Sequence, residues 1–216
     1  MVDTLKETEL ARGTFAASPT VAFYDADPRA YADETLSRDL TYLYPHFLDR
    51  VPKGGLVLDA GCGAGRDIGY FLSQGYRVDA FDASVGLARL ASARTGLNVE
   101  VNRFEEWIPR PNRYDGIWCF ASLLHVSRAD FPRVLRSLAI SLKEGAPLFA
   151  SFKWGEADTV DPRGREFTNF TLVSLRETFA AVAEFAQIEV WDETGPTALD
   201  DATRWLYITA QRKPSD

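Results

Sequence analysis

The sequence predicts an α/β fold: a mainly parallel seven-stranded sheet with helices on both faces and an antiparallel strand at the C-terminal end. Two observations lead to this prediction. Short apolar runs alternate along the chain with amphipathic stretches, and three closely spaced glycines directly follow the first apolar run. Strands that alternate with helices lie parallel, because each helix crosses back over the sheet. The 216 residues suffice for a single domain.

The segment before the first strand is expected to form an N-terminal helical cap over residues 1–50. Within it, Leu36, Leu40, Leu43 and Phe47 recur at helical spacing, which predicts a helix in this part of the chain. The stretch PKGG then ends the cap, because proline and glycine interrupt regular structure.

The seven predicted strands are residues 56–59, 77–81, 100–104, 117–120, 146–152, 185–191 and 204–210. The helix after the first strand should bury Ile68, Phe71 and Leu72, which share one face. Ser84 is the expected N-cap of the helix after the second strand.

A helix is predicted over residues 130–143 with Gly145 as its stop, and another begins at Thr171. The chain therefore divides into the cap, a core at 56–153, a polar segment at 154–170 and a C-terminal helix with a strand pair at 171–212.

The charge and the cysteine content narrow the function classes. The net charge of −7 makes nucleic acid an unlikely partner and disfavours a basic membrane contact, since both need clustered lysine and arginine. The first ten residues carry acids where a signal peptide is basic, and no apolar run reaches membrane-spanning length, so a cytoplasmic location is expected. Cys62 and Cys119 lack metal-ligand spacing, so neither a zinc site nor a disulfide is expected.

The glycine cluster belongs to the stretch LDAGCGAGRD at residues 58–67. Gly61, Gly63 and Gly65 would let backbone amides approach a ligand at the carboxyl edge of the sheet. A dinucleotide site requires G-x-G-x-x-G, but Arg66 stands where the last glycine should fall. Asp82 ends the second strand about 20 residues later, where a carboxylate can accept hydrogen bonds from ribose hydroxyls. Together these features predict a nucleoside ligand.

Three stretches carry a family resemblance: LDAGCGAGRD at 58–67, FDAS at 81–84 and YDGIWCFASLLHV at 114–126. They resemble the successive motifs of class I S-adenosylmethionine-dependent methyltransferases, and the similarity covers residues 24–153. Within that superfamily the chain is similar to small bacterial enzymes of the tellurite-resistance type. The resemblance implies a Rossmann-like fold, S-adenosylmethionine as cofactor, S-adenosylhomocysteine as product and no metal.

The resemblance also implies roles for individual residues. Asp59 and the turn at 61–65 would surround the methionine part and the ribose, and Asp82 would hold the ribose. Residues 103–106 stand where such enzymes contact adenine, with Phe104 at the position where an acid commonly occurs. The full set implied for the cofactor is Tyr24, Tyr31, Asp59, Ala60, Gly61, Gly63, Gly65, Arg66, Asp67, Asp82, Ala83, Ser84, Phe104, Glu105, Phe120, Ala121 and Leu124.

Methyl transfer by direct displacement mainly needs an aligned acceptor, so a catalytic base is optional. The candidate catalytic residues are His125 and Lys153, although a structural or packing role is favoured for His125. The segment 154–169 is long and polar, which is typical of functional or disordered loops, and is interpreted as an acceptor-binding lid with hinges at its glycines. The candidate acceptor-binding residues are Lys153, Arg163, Arg165, Arg204 and Trp205.

The expected function is methyl transfer to a small-molecule acceptor, and the acidic charge is the reason for preferring it to a nucleic-acid substrate. Alternatives are an RNA, tRNA or protein methyltransferase, a Rossmann-like dehydrogenase, and a cofactor-binding protein without catalysis. Tyr24 and Tyr31 would then be ordinary core aromatics, and the segment 154–169 a solvated loop. The sequence identifies neither the acceptor nor the oligomeric state.

Overall fold

The computed structural model describes residues 18–193 and 203–214. Its strands are β1 (Leu56–Ala60), β2 (Arg77–Asp82), β3 (Glu100–Val101), β4 (Gly116–Cys119), β5 (Pro147–Lys153), β6 (Thr159–Val160), β7 (Glu166–Phe167), β8 (Phe185–Glu193) and β9 (Trp205–Arg212). Seven of them form one sheet in the order β3-β2-β1-β4-β5-β9-β8, and β6 and β7 form a separate hairpin. The first 17 residues of the predicted cap lie outside the described residues.

The helices are α1 (Pro19–Ala26), α2 (Pro28–Thr35), α3 (Tyr44–Leu48), α4 (Arg66–Ser73), α5 (Val85–Thr95), α6 (Phe131–Ser141) and α7 (Leu172–Ala180). They surround the sheet, with a short 3-10 turn at Leu123–His125 after β4. The predicted N-cap Ser84 is confirmed, because its side chain accepts a backbone N–H of α5. Thr171, where a helix is predicted to begin, is the N-cap of α7 and accepts a backbone N–H of that helix. None of the helices within the described ranges is both long and apolar enough to cross a membrane.

The predicted sheet is confirmed. β1 lies between β2 and β4 and is parallel to both, while β9 is antiparallel to β5 and to β8. The chain leaves β1 toward β2 and returns on the other side with β4, so the strand order reverses at β1. The carboxyl ends of β1, β2 and β4 therefore meet beside a topological switch point, where α/β sheets bind their ligands.

The core is built on aromatic contacts around β4. Trp118 stacks on Phe149 of the neighbouring β5 with ring centroids 4.1 Å apart, and it meets Phe71 of α4 edge to face at 5.7 Å. Phe47 of α3 completes this cluster at 5.4 Å from Trp118. These side chains fix the positions of α3 and α4 against the sheet, because each buries a large apolar surface.

The cap is not the continuous helix that the leucine spacing predicts. Asp27 ends α1 and starts α2 by accepting the N–H of Ala30 at 3.0 Å, and α2 stops at Thr35. The N–H of Thr41 then donates to the Asp39 carboxylate at 2.8 Å, a local bond that competes with helix. Three short helices result. Leu40, Leu43 and Phe47 are buried as predicted, but from a turn and a short helix.

The third strand is also shorter than predicted. Only Glu100 and Val101 pair with β2, and the chain then turns, with the N–H of Glu106 bonded to the carbonyl of Arg103 at 3.1 Å. The turn places Phe104 edge to face against Phe81 of β2, with ring centroids 5.1 Å apart. An aromatic anchor rather than strand pairing therefore holds this part of the chain.

The segment 154–170 is not a loop without structure of its own. Thr159 pairs with Phe167 and Val160 with Glu166, forming the β6–β7 hairpin. Its C-terminal part is buried rather than solvated: Phe167 is 4% exposed, Thr168 5% and Asn169 5%. The polar residues misled the prediction because the Thr168 hydroxyl and the Asn169 side-chain amide nitrogen donate to backbone carbonyls inside the protein.

Candidate active site

A cleft opens at the carboxyl edge of the sheet, between the ends of β1, β2 and β4 and the cap helices α1 and α2. The volume of the cleft, including the open space at its entrance, is about 1090 Å³. The residues of the predicted cofactor set that line it are Tyr24, Tyr31, Gly61, Gly63, Arg66, Asp67, Asp82, Ala83, Ser84, Phe104, Glu105, Phe120 and Ala121. His125, a predicted catalytic candidate, lines it as well.

Four residues of the predicted set do not line the cleft: Asp59, Ala60, Gly65 and Leu124 lie behind its wall. Sequence reasoning missed other lining residues, which include Thr20, Val21, Thr35, Leu36, Arg38, Cys62, Leu87, Asn102 and Ser122. Most of these come from the cap or from turns, where no sequence pattern distinguishes a lining residue from a solvated one.

The three glycines of the turn serve different purposes. A Cβ atom added at Gly61 would lie 2.4 Å from the Cβ of Ser122, and one at Gly65 would lie 3.1 Å from the Cβ of Ala91. These two glycines therefore allow close packing of the turn on β4 and α5. Gly63 also has a positive φ of +55°, but an added Cβ would meet only Tyr31, at 3.7 Å. Gly63 thus presents bare backbone to the cleft.

Asp82 fixes this turn from the end of β2. One carboxylate oxygen accepts the N–H of Gly63 at 2.8 Å, and the other accepts the N–H of Ser84 at 2.8 Å. Burial raises the pKa of Asp82 to about 6, and the two backbone N–H groups oppose that rise because they favour the charged carboxylate. Each oxygen keeps a lone pair, so Asp82 can still accept hydrogen bonds from a ligand in the cleft.

Arg66 and Asp67 begin α4 at the floor of the cleft. The guanidinium of Arg66 donates hydrogen bonds to both carboxylate oxygens of Asp67, at 2.8 and 2.9 Å. It also lies 5.1 Å from the ring centroid of Phe120. Asp67 also accepts from the hydroxyl of Tyr44 at 2.7 Å and from the indole of Trp118 at 2.9 Å. This network joins α4 to α3 and β4 and makes the floor rigid.

Helix α1 is anchored over the cleft by Asp25. Its carboxylate accepts the hydroxyl of Ser84 at 2.6 Å and the N–H of Gly86 at 2.9 Å, both at the start of α5. A Cβ added at Gly86 would lie 2.7 Å from the ring of Pro28, so the cap approaches α5 closely. Sequence reasoning missed Asp25, because its partners lie about sixty residues away along the chain.

Tyr24, His125 and Glu166 form a hydrogen-bonded chain at the mouth of the cleft. Nδ1 of His125 lies 2.7 Å from the backbone carbonyl of Glu166, and Nε2 lies 3.0 Å from the hydroxyl of Tyr24. A carbonyl only accepts, so these partners assign the proton to Nδ1 and make Nε2 the acceptor of the Tyr24 hydroxyl. Burial lowers the pKa of His125 to about 4, which keeps the ring neutral at physiological pH.

The predicted acceptor-binding residues lie outside the cleft and interact within the protein. Arg165 is paired with Asp161 at 2.7 Å, and Lys153 places its ammonium 3.8 Å from the ring centroid of Phe167. Arg204 forms an ion pair with Asp192 at 2.6 Å. The ring of Trp205 stacks on that of Phe120, with ring centroids 6.3 Å apart. Arg163 lies over Phe23 at 5.7 Å.

The predicted hinges of the hairpin segment also differ from each other. Gly164 has a positive φ of +80° and open space around it, as the turn of a hairpin requires. Gly155 is packed instead: its N–H donates to the carbonyl of Phe170 at 2.9 Å, and an added Cβ would lie 3.0 Å from Asn169. The hairpin is therefore held at its base.

The site residues suit a nucleoside ligand. Gly63 leaves its backbone bare, Asp82 offers acceptors, and Tyr31 and Phe104 supply ring surfaces in the same cleft. These are the features that a ribose and a flat base require. Within the described ranges no cluster of three or more histidine, cysteine, aspartate or glutamate side chains is arranged to hold a metal ion.

Comparison with known proteins agrees with this geometry. Residues 57–145 match a family model described as a methyltransferase domain. The fold is similar to that of 1,6-didemethyltoxoflavin-N1-methyltransferase from Burkholderia thailandensis, solved with 1,6-didemethyltoxoflavin and S-adenosylhomocysteine. That structure has a TM-score of 0.71 and 24% identity, over 94% of each chain. No curated protein matches the chain.

Two further structures share the fold. A S-adenosylmethionine-dependent methyltransferase from Methanosarcina mazei has a TM-score of 0.68 and 19% identity, over 80% of this chain and 99% of its own. Phosphoethanolamine N-methyltransferase 2 from Haemonchus contortus, in complex with phosphomonomethylethanolamine and S-adenosylhomocysteine, has a TM-score of 0.71 and 17% identity. Its match covers 89% of this chain and 58% of its own.

Proposed function

We propose that the chain is a class I S-adenosylmethionine-dependent methyltransferase and that it methylates a small-molecule acceptor by direct displacement. The match of residues 57–145 to a methyltransferase-domain model and the shared fold support this proposal. The single observation that carries this proposal is the cleft, in which the turn around Gly63, the carboxylate of Asp82 and the rings of Tyr31 and Phe104 face one space. Two of the structural relatives are named for small-molecule substrates. The net charge of −7 disfavours nucleic acid as the acceptor.

The cofactor would be held by the residues that line the cleft. Asp82 accepts the ribose hydroxyls, the backbone at Gly63 faces the ligand, and Phe104 packs on the base. S-adenosylmethionine supplies, when bound, a methyl group already activated on a cationic sulfur. The protein must then orient the acceptor and exclude water, which the anchored helix α1 accomplishes by covering the cleft.

Tyr24 and His125 position the acceptor in this proposal. Both line the cleft, and His125 fixes the Tyr24 hydroxyl by accepting its hydrogen bond at Nε2. The phenol oxygen then retains lone pairs that can accept a hydrogen bond from an N–H or O–H of the acceptor. Because burial lowers the pKa of His125 to about 4, the imidazole is a weak base, and its contribution is to hold Tyr24 in place.

Replacing either partner of this pair should lower catalytic efficiency without removing cofactor binding. Tyr24→Phe and His125→Phe each keep a ring and delete one end of the bond, so kcat/KM should fall about tenfold in each. The double variant should be little worse than either single one, because one interaction is lost in all three. Steady-state kinetics measure this, with His46→Phe, an exposed site outside the cleft, as the control. Additive losses in the double variant would contradict the pairing.

Arg165 supports the same pair from the hairpin. Its guanidinium lies 4.8 Å from the ring centroid of Phe23 and 6.0 Å from that of Tyr24, while its charge is paired with Asp161. Arg165→Ala removes one ion pair and the contacts with the two rings, so methyl-transfer efficiency should fall several-fold. The affinity for S-adenosylhomocysteine should stay within about twofold of the parent value. Arg163→Ala is the control. A parallel loss of cofactor affinity in Arg165→Ala would instead assign this residue to the cofactor site.

The proposal is tested by finding the acceptor. Mass spectrometry of ligands that copurify with the native protein should identify S-adenosylmethionine or its product. A screen of cell metabolites with isotope-labelled S-adenosylmethionine should then show methyl transfer to a small molecule. Transfer only to RNA or protein would reject the small-molecule class. Binding of a nicotinamide nucleotide without any methyl transfer would reject the methyltransferase activity in favour of a dehydrogenase.

A further inference from the structure

Three buried carboxylates surround the glycine turn. Asp59 is 2% exposed, Asp67 5% and Asp82 9%. The guanidinium of Arg66 is the nearby cation, and it binds Asp67 through two hydrogen bonds. If all four groups are charged, this cluster carries a net charge of about −2 inside the protein, an arrangement that costs free energy unless something compensates it.

The other two carboxylates have no such partner. Asp82 receives the N–H groups of Gly63 and Ser84, which are neutral donors. One carboxylate oxygen of Asp59, Oδ2, is buried and has no hydrogen-bond partner. Among the described residues neither Asp59 nor Asp82 forms an ion pair with a lysine, arginine or histidine. The excess negative charge is therefore not matched by the protein itself.

Neighbouring groups respond to this charge. Burial raises the pKa of Asp59 well above its ordinary range, and the charges of Asp67 and Asp82 raise it further while Arg66 opposes them. Burial also raises the pKa of the Cys62 thiol, to which Asp59 and Asp82 add. The pKa of the Tyr31 hydroxyl is raised by burial, with Tyr24 and Asp82 adding to the effect. In each case neighbouring carboxylates add to the larger effect of burial, as they would in a cleft with a negative potential.

We propose that Asp59 is a specificity-determining residue that makes the cleft prefer the cationic methyl donor to its neutral product. This inference rests on the proposed function. The donor carries a sulfonium, an ammonium and a carboxylate, a net charge of about +1, whereas the product thioether has a net charge of about zero. Asp59 lies behind the lining and acts through its field, which is weakly screened in the interior. Product release is thereby favoured once the charge has been transferred.

The sign of the pH dependence follows from linkage. A cationic ligand favours the ionised carboxylate and lowers its pKa, so donor binding should release protons and tighten as pH rises. The neutral product lacks the part of this effect that comes from the sulfonium. Asp82 contacts the ribose of both ligands, but its charge also favours the sulfonium and its pKa of about 6 falls within the same pH range. Removing the charge of Asp59 alone is therefore what separates its contribution from that of Asp82. The other charged or titratable groups that act on Asp59 or respond to it are Arg66, Asp67, Tyr44, Cys62 and Cys119.

Isothermal titration calorimetry of the parent protein with S-adenosylmethionine and with S-adenosylhomocysteine provides the test. Titrations from about pH 5.5 to about pH 8.5, in phosphate and in Tris, give both dissociation constants and the number of protons released. The preference for S-adenosylmethionine is expected to increase as the pH rises, with more protons released than for S-adenosylhomocysteine.

Asp59→Asn keeps the shape of the side chain and removes its charge. At the upper end of the pH range it should reduce the preference for S-adenosylmethionine about tenfold and change S-adenosylhomocysteine affinity by less than about twofold. Asp33→Asn, an equal charge change on the exposed part of α2, should leave the preference unchanged. Thermal melting confirms that the variants fold, and Asp59→Ala, which also removes the charge, replaces Asp59→Asn if that variant does not fold.

An unchanged preference in the folded variant that lacks the Asp59 charge would overturn the inference about Asp59 alone. If neither ligand binds the parent protein, the proposed function fails and this inference fails with it.

Discussion

Replacing Asp82 with alanine is expected to weaken S-adenosylhomocysteine binding ten- to a hundredfold. The change removes a buried carboxylate whose remaining lone pairs face the cleft, and charge-assisted hydrogen bonds of this kind contribute about 1.5 to 3 kcal/mol. It also frees the N–H groups of Gly63 and Ser84, so the glycine turn loses its fixed shape. Titration calorimetry with S-adenosylhomocysteine measures the effect.

Two further variants separate ligand contact from structural damage. Asp82→Asn keeps the size of the side chain but loses its charge, so it should show a smaller loss of affinity in the same direction. Asp79 lies on the same strand, pairs with Arg110 and Arg113 and does not line the cleft. The Asp79→Ala variant should therefore bind S-adenosylhomocysteine normally. An unchanged dissociation constant in folded Asp82→Ala would reject the assignment of Asp82 to the ribose.

Replacing Gly63 with valine is expected to abolish cofactor binding while the protein still folds. The residue has a φ of +55°, which a branched side chain adopts only at a cost of about 1 to 3 kcal/mol. Space for the first side-chain atom exists, since Tyr31 lies 3.7 Å away, so the side chain would extend into the cleft and meet the ligand. Affinity should drop by more than about a hundredfold, as measured by the same titration.

Gly75 offers a matched control for the backbone strain. It has a φ of +83°, nothing lies within 4 Å of an added Cβ, and it is not part of the cleft. Gly75→Val should therefore lose similar stability in thermal melting yet bind S-adenosylhomocysteine normally. Equal binding by the two valine variants would mean that the glycine turn is only a connection between β1 and α4.

The parts of the site that the sequence predicts are those fixed by local rules. A glycine turn after the first strand and an acid at the end of the second need only neighbouring residues and a parallel sheet to be brought together. The structure places Gly61, Gly63 and Asp82 around one cleft, with the N–H of Gly63 bonded to the Asp82 carboxylate at 2.8 Å. The parallel pairing among β1, β2, β3, β4 and β5 follows from the same alternation of strands and helices.

The parts that the sequence does not reveal depend on contacts between distant segments. Asp25 binds the start of α5, and Tyr24 reaches His125 across 101 residues of chain. Glu166 contributes only its backbone carbonyl to His125, so its side-chain identity carries no signal of that role. Such contacts follow from the packing of the cap and the hairpin on the sheet, which no periodic pattern encodes.

Two errors have the same physical origin. Leucine spacing predicts one helix for the cap, but the side-chain bonds of Asp27 and Asp39 divide it into short pieces. Polar composition predicts an unstructured lid, but Asp161 accepts the backbone N–H groups of Arg163 and Arg165 and so shapes the hairpin turn. In both segments aspartate oxygens bond to nearby backbone, and this local chemistry outweighs the average character of the sequence.

The central claim is that the cleft beside Asp82 binds S-adenosylmethionine, and a crystal structure of the protein with S-adenosylhomocysteine tests it most directly. The ribose hydroxyls are expected within hydrogen-bond distance of the Asp82 carboxylate, about 2.5 to 3.0 Å, with the base against Phe104 and the backbone of Gly63 in contact with the ligand. Density for the ligand at any other position, or a cleft that stays without it at saturating concentration while Asp82 is ordered, would contradict the claim.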